Sequence, residues 1–171
     1  MSTHLVLGGA RSGKSRFAQA RAEAHAGAVQ LVVTAEILDD EMRARVARHR
    51  LERPAHWHVT EAPVALPEAI ARLAQPGAFV LVDCLTLWLS NLLCTQPEAL
   101  EAGIDALEAA IAGARGELVL VSNEVGWSIV PDNPLARRFR DEQGRLNQRV
   151  AARCDRVTLV AAGLPLALKG A

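Results

Sequence analysis

The sequence predicts a three-layer α/β fold with a mainly parallel sheet, and three observations carry that prediction. Short β-branched runs alternate with amphipathic helical stretches, the pattern that lays helices on both faces of one sheet. The runs Phe79-Val80-Leu81-Val82 and Leu118-Val119-Leu120-Val121 are apolar at every position, as expected of strands buried on both sides. The first run, Thr3-His4-Leu5-Val6-Leu7, leads directly into GGARSGKS and then into a helix-forming stretch.

In chain order, strands are expected at Leu5–Gly8, Val29–Thr34, Phe79–Asp83, Glu117–Ser122 and Val157–Ala161, with Trp57–Thr60 as a further candidate. Helices are expected at Lys14–Ala26, Asp40–Glu52, Leu66–Ala74, a short one around Leu87–Leu93, Glu98–Ala114 and Leu135–Cys154. Local chemistry sets several boundaries. Pro97 and Pro134 suit first helical positions, Asp39 or Asp40 can cap the second helix, and Pro54 biases Arg53 away from helix. Leu135, Phe139, Leu146 and Val150 fall on one stripe of the last helix, which points that stripe at the sheet. The loop Glu124–Asn133 follows a strand's carboxyl end, where open α/β sheets bind ligands; its Trp127 and Ile129 either tuck into the core or line that edge.

The segment Gly8, Gly9, Ala10, Arg11, Ser12, Gly13, Lys14, Ser15 is a phosphate-binding loop in its proper strand-to-helix context. Successive backbone N–H groups must wrap around anionic oxygens, so glycines stand where a Cβ would block the approach. Lys14 supplies a point charge for β- and γ-phosphates, Ser15 a hydroxyl for Mg²⁺, and the following helix start adds partial positive charge. These features define a P-loop NTPase fold of the RecA-like three-layer type. Asp83, ending an apolar strand at the same sheet edge, is read as a carboxylate for Mg²⁺, with a cap for the Leu85 segment as the alternative.

Composition narrows the field further. Half of the 171 residues are apolar, enough for one catalytic domain over residues 1–171. Lys plus Arg equals Asp plus Glu at 19 each, and no polybasic run stands out, which argues against nucleic-acid binding and against a RecA-like DNA-dependent ATPase. Cys84, Cys94 and Cys154 are widely spaced, with no Cys-x-x-Cys pair, and are expected as reduced core thiols of a cytoplasmic protein. No apolar stretch reaches the length of about 18 residues that a membrane span needs, and no signal peptide is expected. The absence of an Asn-Lys-x-Asp guanine-reading motif disfavours a regulatory GTPase. A small-molecule kinase without a covalent intermediate remains the main alternative at this point.

A second constellation lies between Thr34 and Glu61. Met42, Val46 and His49 share one helical stripe, while Ala44, Ala47 and Leu51 form a competing one, so His49 could face either way. The surrounding arginines favour a neutral imidazole, the form that a nucleophile toward phosphorus requires. Arg50 and Arg53 read equally well as solvated helix charges, and Glu61 as a loop surface residue.

Four segments together carry a resemblance: GGARSGKS, TAEILDDEMRARVARHRLERPAHWHVTEAP, LVDCLT and VLVSNEVGWSIVPDNPLARRFRDEQGRLNQRVA. The chain resembles the bifunctional adenosylcobinamide kinase/adenosylcobinamide-phosphate guanylyltransferase family nearly end to end. The resemblance implies two reactions on one chain, with ATP and GTP as substrates, Mg²⁺ as cofactor, and adenosylcobinamide and adenosylcobinamide phosphate as acceptors. By position, His49 matches the family's guanylylated histidine. Thr34, Ala35, Glu36, Arg50, Leu51, Glu52, Arg53 and Glu61 match positions that contact guanine nucleotide, and Asp83 an acidic nucleotide- or metal-site position that is Glu in some members. A homotrimer is implied by the same resemblance.

Overall fold

The computed structural model describes residues 2–35 and 56–170. Their elements run β1 (Ser2–Gly8), α1 (Lys14–Glu23), β2 (Val29–Val33), β3 (His58–Glu61), α2 (Leu66–Leu73), β4 (Phe79–Asp83), α3 (Leu85–Thr95), a 3₁₀ turn (Pro97–Ala99), α4 (Leu100–Ala112), β5 (Glu117–Asn123), α5 (Pro134–Arg153), β6 (Arg156–Ala161) and β7 (Leu164–Lys169). The helix expected at Asp40–Glu52 lies outside the described residues.

The seven strands form one sheet in the order β3-β2-β4-β5-β1-β6-β7. Every neighbouring pair is parallel except β6 with β7. The apolar runs divide their side chains between two faces, as strand geometry requires. Leu5, Leu7, Val80, Val82, Leu118 and Leu120 join the core under α2 to α5, while Val6, Phe79, Leu81, Val119 and Val121 join the core under α1. The three-layer α/β fold is therefore the one the sequence predicts. On α1 the buried apolar positions are Ala18 and Ala22, side chains short enough to let the helix lie close to the sheet.

Several boundaries differ from expectation for local reasons. Helix α3 begins at Leu85 and ends at Thr95, longer than the short segment expected, because Leu85, Trp88, Leu89, Leu92 and Leu93 are all buried. Core packing is thus the role of Trp88. The helix expected from Glu98 divides into the 3₁₀ turn and α4. In α5, Pro134 takes the first position behind Asn133, whose Oδ1 accepts from the N–H groups of Leu135 and Ala136 at 2.7 and 3.3 Å, a standard N-cap. Leu146 and Val150 are buried and Phe139 packs against the core, but Leu135, on the first turn, is 54% exposed. Arg149 on α5 pairs with Glu101, Asp105 and Glu108 of α4, tying the two helices at their solvent side. Cys84 and Cys154 are buried thiols, whereas Cys94 is exposed, against the expectation of three core thiols. Burial pushes the Cys154 thiol up to about 12.

Strand β7 was not expected at all. It turns back from β6 through Ala162 and Gly163, both at positive φ (52° and 79°), with Ala161 opposite Leu164. That is the two-residue primed turn whose twist matches an antiparallel hairpin.

The start of β1 is tied to the entry of β6. Asp155 accepts from the Thr3 N–H at 2.8 Å and from its hydroxyl at 3.0 Å, which holds its carboxyl below the usual range. One residue on, His4 is buried with its Nε2 2.8 Å from the Thr158 hydroxyl and its Nδ1 unpartnered. Burial, and then the charges of Arg21 and Arg156, lower its pKa to about 4. The unfolded chain therefore takes up a proton near pH 6.5 that the folded chain refuses until about 4, so His4 contributes stability above that window and loses it as pH falls through it. Urea unfolding at pH 7 and pH 5 should differ by about 2 kcal/mol on this account, and His4→Gln should flatten the difference.

Candidate functional site

Those predicted site residues that the structure describes collect along the carboxyl edge of the sheet. Gly8 closes β1, and a Cβ placed there would meet the Ser12 hydroxyl at 2.4 Å and the Val160 carbonyl at 2.6 Å. The loop then folds over itself: Ser12 N–H reaches the Gly9 carbonyl at 3.3 Å, and Arg11 and Gly13 adopt positive φ of 56° and 96°. Gly13 is the N-cap of α1 with no side-chain cap, and no acidic residue occupies the first helical turn. The N–H groups at that helix start are thereby left for an anion. Lys14 is buried, and its Nζ donates to the Gly9 carbonyl at 3.1 Å, which brings its charge across the mouth of the loop. Ser15 is half-buried on the first turn, while Ala10 and Arg11 are exposed at the loop's crest.

The β6–β7 turn supports the loop from the side. The Gly163 N–H donates to the Ser12 carbonyl at 2.8 Å, and a Cβ on Gly13 would come within 3.2 Å of the Gly163 Cα. Positive φ and close approach thus both require glycine at 13.

Asp83 stands half-buried at the end of β4. Strand β5 lies between β4 and β1, so Asp83 is offset from the phosphate loop by two strand spacings, roughly 10 Å. The N-cap of α3 is Cys84, with no side-chain cap, so Asp83 does not cap that helix. Thr34 is fully buried and bridges to the cis Asp83–Cys84 peptide: its hydroxyl donates to the Cys84 carbonyl at 2.7 Å and accepts the Cys84 N–H at 3.0 Å. Asn91 fixes the same corner by donating to the Thr34 and Pro63 carbonyls. Ala35 follows at the described edge, and Glu61 is exposed at the end of β3, paired with Val33. Glu36, His49, Arg50, Leu51, Glu52 and Arg53 lie outside the described residues.

Two neighbours have no site role assigned from the sequence, although the second opens the loop expected at a ligand-binding strand end. Asn123 ends β5 between the loop and Asp83, Glu124 follows it, and the Glu124 N–H donates to the Gly8 carbonyl at 3.1 Å. The signal is present: like Asp83, Asn123 is a polar residue closing an apolar strand, and Glu124 is the residue after it. Beyond them Trp127, Ile129 and Val130 are 72%, 93% and 60% exposed, so this loop presents apolar surface at the edge rather than tucking into the core.

A hydroxyl on the first turn of α1 and a carboxylate at the end of β4 are hard oxygen donors. Such a sparse set suits Mg²⁺, which takes one or two protein oxygens and completes its shell with phosphate and water. Bound there, it would neutralise charge on a polyphosphate.

A phosphate loop at the head of a central parallel strand, with a carboxylate two strands away across β5, defines the P-loop nucleotide-binding class. A family model described as cobinamide kinase / cobinamide phosphate guanyltransferase matches residues 4–168. The chain is 49% identical over 167 residues to CobP, a bifunctional adenosylcobalamin biosynthesis protein of Pseudomonas aeruginosa, covering 97% of this chain and 96% of that one. It is 44% identical over 179 residues to the bifunctional adenosylcobalamin biosynthesis protein CobU of Salmonella typhimurium, covering 96% and 98%. The chain belongs to the cobinamide kinase/cobinamide phosphate guanyltransferase family, and it is an enzyme, a kinase and guanylyltransferase. Among the described residues, no helix is long and apolar enough to cross a membrane.

Gly8→Ala tests the loop geometry directly. The Val160 carbonyl belongs to a core strand and cannot yield, so the loop must distort. GTP affinity measured by equilibrium dialysis should fall at least about tenfold, equivalent to 1.4 kcal/mol, with the fold intact by circular dichroism.

Proposed function

We propose that the chain phosphorylates adenosylcobinamide with ATP or GTP and then transfers GMP from GTP, through a guanylyl-histidine at His49, to adenosylcobinamide phosphate, giving adenosylcobinamide-GDP. The observation that carries the reading is the phosphate loop, with its buried lysine, in a chain that matches this family almost end to end.

In the first step the loop N–H groups and Lys14 hold the β- and γ-phosphates and absorb the charge that develops as the γ-phosphoryl passes to the acceptor hydroxyl. Ser15 and Asp83 would hold Mg²⁺. In the second step the imidazole of His49 attacks the α-phosphorus of GTP, pyrophosphate departs, and the phosphate of the first product displaces the histidine. Thr34 through Glu36, Arg50 through Arg53 and Glu61 are the residues proposed to contact the guanine nucleotide. The apolar loop at Trp127, Ile129 and Val130 offers surface for the corrinoid at the same edge. One catalytic domain, a cytoplasmic location and a homotrimer belong to the same reading; sedimentation would test the last.

Incubation with GTP labelled at the α-phosphate, followed by denaturation, should leave acid-labile, base-stable label on the parent protein and none on His49→Ala. Lys14→Ala should reduce phosphorylation of adenosylcobinamide by about 10²–10³-fold, the loss typical of removing one preorganised charge-stabilising group. A parent that binds GTP yet takes no label would instead be a P-loop kinase without a covalent intermediate.

A further inference from the structure

We propose that Glu124 is the general base of the phosphorylation step, acting on the acceptor hydroxyl, and that Asn147 is its positioning residue. The inference rests on the two-step reading above and adds a group that reading does not assign.

The placement follows from the sheet order. β5 lies between β1 and β4, so the residues that follow it emerge between the phosphate loop and Asp83. Glu124 is held there by its main chain, through the bond from its N–H to the Gly8 carbonyl. Its side chain is held independently: Oε1 accepts from Asn147 Nδ2 at 3.1 Å.

Asn147 can do this because its own amide is fixed on every side. It is 4% exposed on α5, one turn beyond the fully buried Gln143. Its Oδ1 accepts from the Ser122 hydroxyl at 2.7 Å and from Gln143 Nε2 at 3.0 Å, and its Nδ2 also donates to the Asn123 carbonyl at 3.1 Å. Turning the amide over would set Nδ2 against the Gln143 donor and Oδ1 against two acceptors, so only one orientation is satisfied. Gln143 Nε2 reaches the Ser122 hydroxyl as well, at 3.0 Å, and the Thr86 hydroxyl accepts from both the N–H and the side-chain amide of Asn123. Gln143 Oε1 is the one unpartnered member among the described residues; the other bonds hold the Asn147 amide in place, and among the described residues they reach the sheet edge at the Glu124 carboxylate. Oε1 is engaged with Asn147, and among the described residues none bonds to Oε2.

The chemistry separates the two half-reactions. The acceptor in the first is an alcohol, whose O–H bond must break as its oxygen bonds to the γ-phosphorus. The proton passes to the Glu124 carboxylate, the bond from the γ-phosphorus to its bridging oxygen breaks with the electron pair leaving on the nucleoside diphosphate, and Glu124 later returns the proton to solvent. The acceptors in the second are a neutral imidazole lone pair and a phosphate oxygen, neither of which needs an added base. A base at Glu124 therefore serves phosphorylation alone.

The test measures both half-reactions on the full chain, with adenosylcobinamide and ATP for phosphorylation and α-labelled GTP for self-guanylylation, in the parent, Glu124→Gln and Glu124→Asp. Expected is a fall in kcat for phosphorylation of about 10²–10⁴-fold in Glu124→Gln, with KM for ATP little changed, partial recovery in Glu124→Asp, and self-guanylylation retained within about twofold. Equal loss of both half-reactions, a raised KM for ATP with kcat intact, or undiminished phosphorylation in Glu124→Gln would each overturn the assignment. If Glu124→Gln does not fold, the comparison of Glu124→Asp with the parent decides: a selective loss of phosphorylation supports the base, an equal loss overturns it. A parent inactive in either half-reaction would instead overturn the two-step reading itself.

Discussion

The pairing of β1 on both sides governs the rest of the site. Its seven residues are matched with β5 from Ser2 to Gly8, and its middle is matched with β6 from His4 to Leu7. A loop leaving such a strand has its origin fixed by two ladders. Main-chain bonds then fix its course from either flank, from Glu124 to Gly8 and from Gly163 to Ser12. A loop that is to bind phosphate must present N–H groups already oriented for the anion, and here its course is set by main-chain bonds from the residues on either flank.

The buried polar groups follow from the same constraint. The carboxyl ends of parallel strands offer unmatched backbone groups that water cannot reach, and each costs roughly 1–3 kcal/mol if left unpaired. Thr34 and Asn91 satisfy the corner beyond β4; Thr86 and Asn147 satisfy the end of β5. The side chains that close these ends are neutral amides and hydroxyls rather than charges, which avoids the larger desolvation penalty of buried ions. Charged residues appear where solvent or a ligand can meet them, at Asp83, Glu61 and Glu124.

Much of this arrangement was legible in the sequence. The uninterrupted apolar runs can only be strands covered on both faces, and a glycine-rich loop between such a run and a helix admits few readings. Asp83 stands out because a charge ending an apolar strand is conspicuous. What escaped notice was polarity used inwardly. Gln143 and Asn147 sit on the same side of α5 as Leu146 and Val150, and periodicity counts only the apolar pair; their inward role depends on Ser122 and Asn123, distant in sequence. Thr34 likewise reads as a strand end, and its tie to Cys84 is a tertiary fact. β7 was missed because Ala-Gly is a weak turn signal beside Asn-Gly, and because Pro165 suggests a break; as an edge strand it tolerates proline.

The tie between Thr3 and Asp155, 152 residues apart, has a consequence for how the molecule comes into being. β1 and the phosphate loop are made early in synthesis, yet both ladders that hold them belong to later strands, and the flank at Gly163 is later still. The loop after β1 must wait, with its strand unpaired, for β5 and β6 to follow it. Such distant pairings slow folding, because loop closure precedes the contacts that reward it. Nascent chains halted before β6 should therefore hold the loop's sequence without its shape, and nucleotide affinity should arrive late and abruptly as the last hairpin emerges.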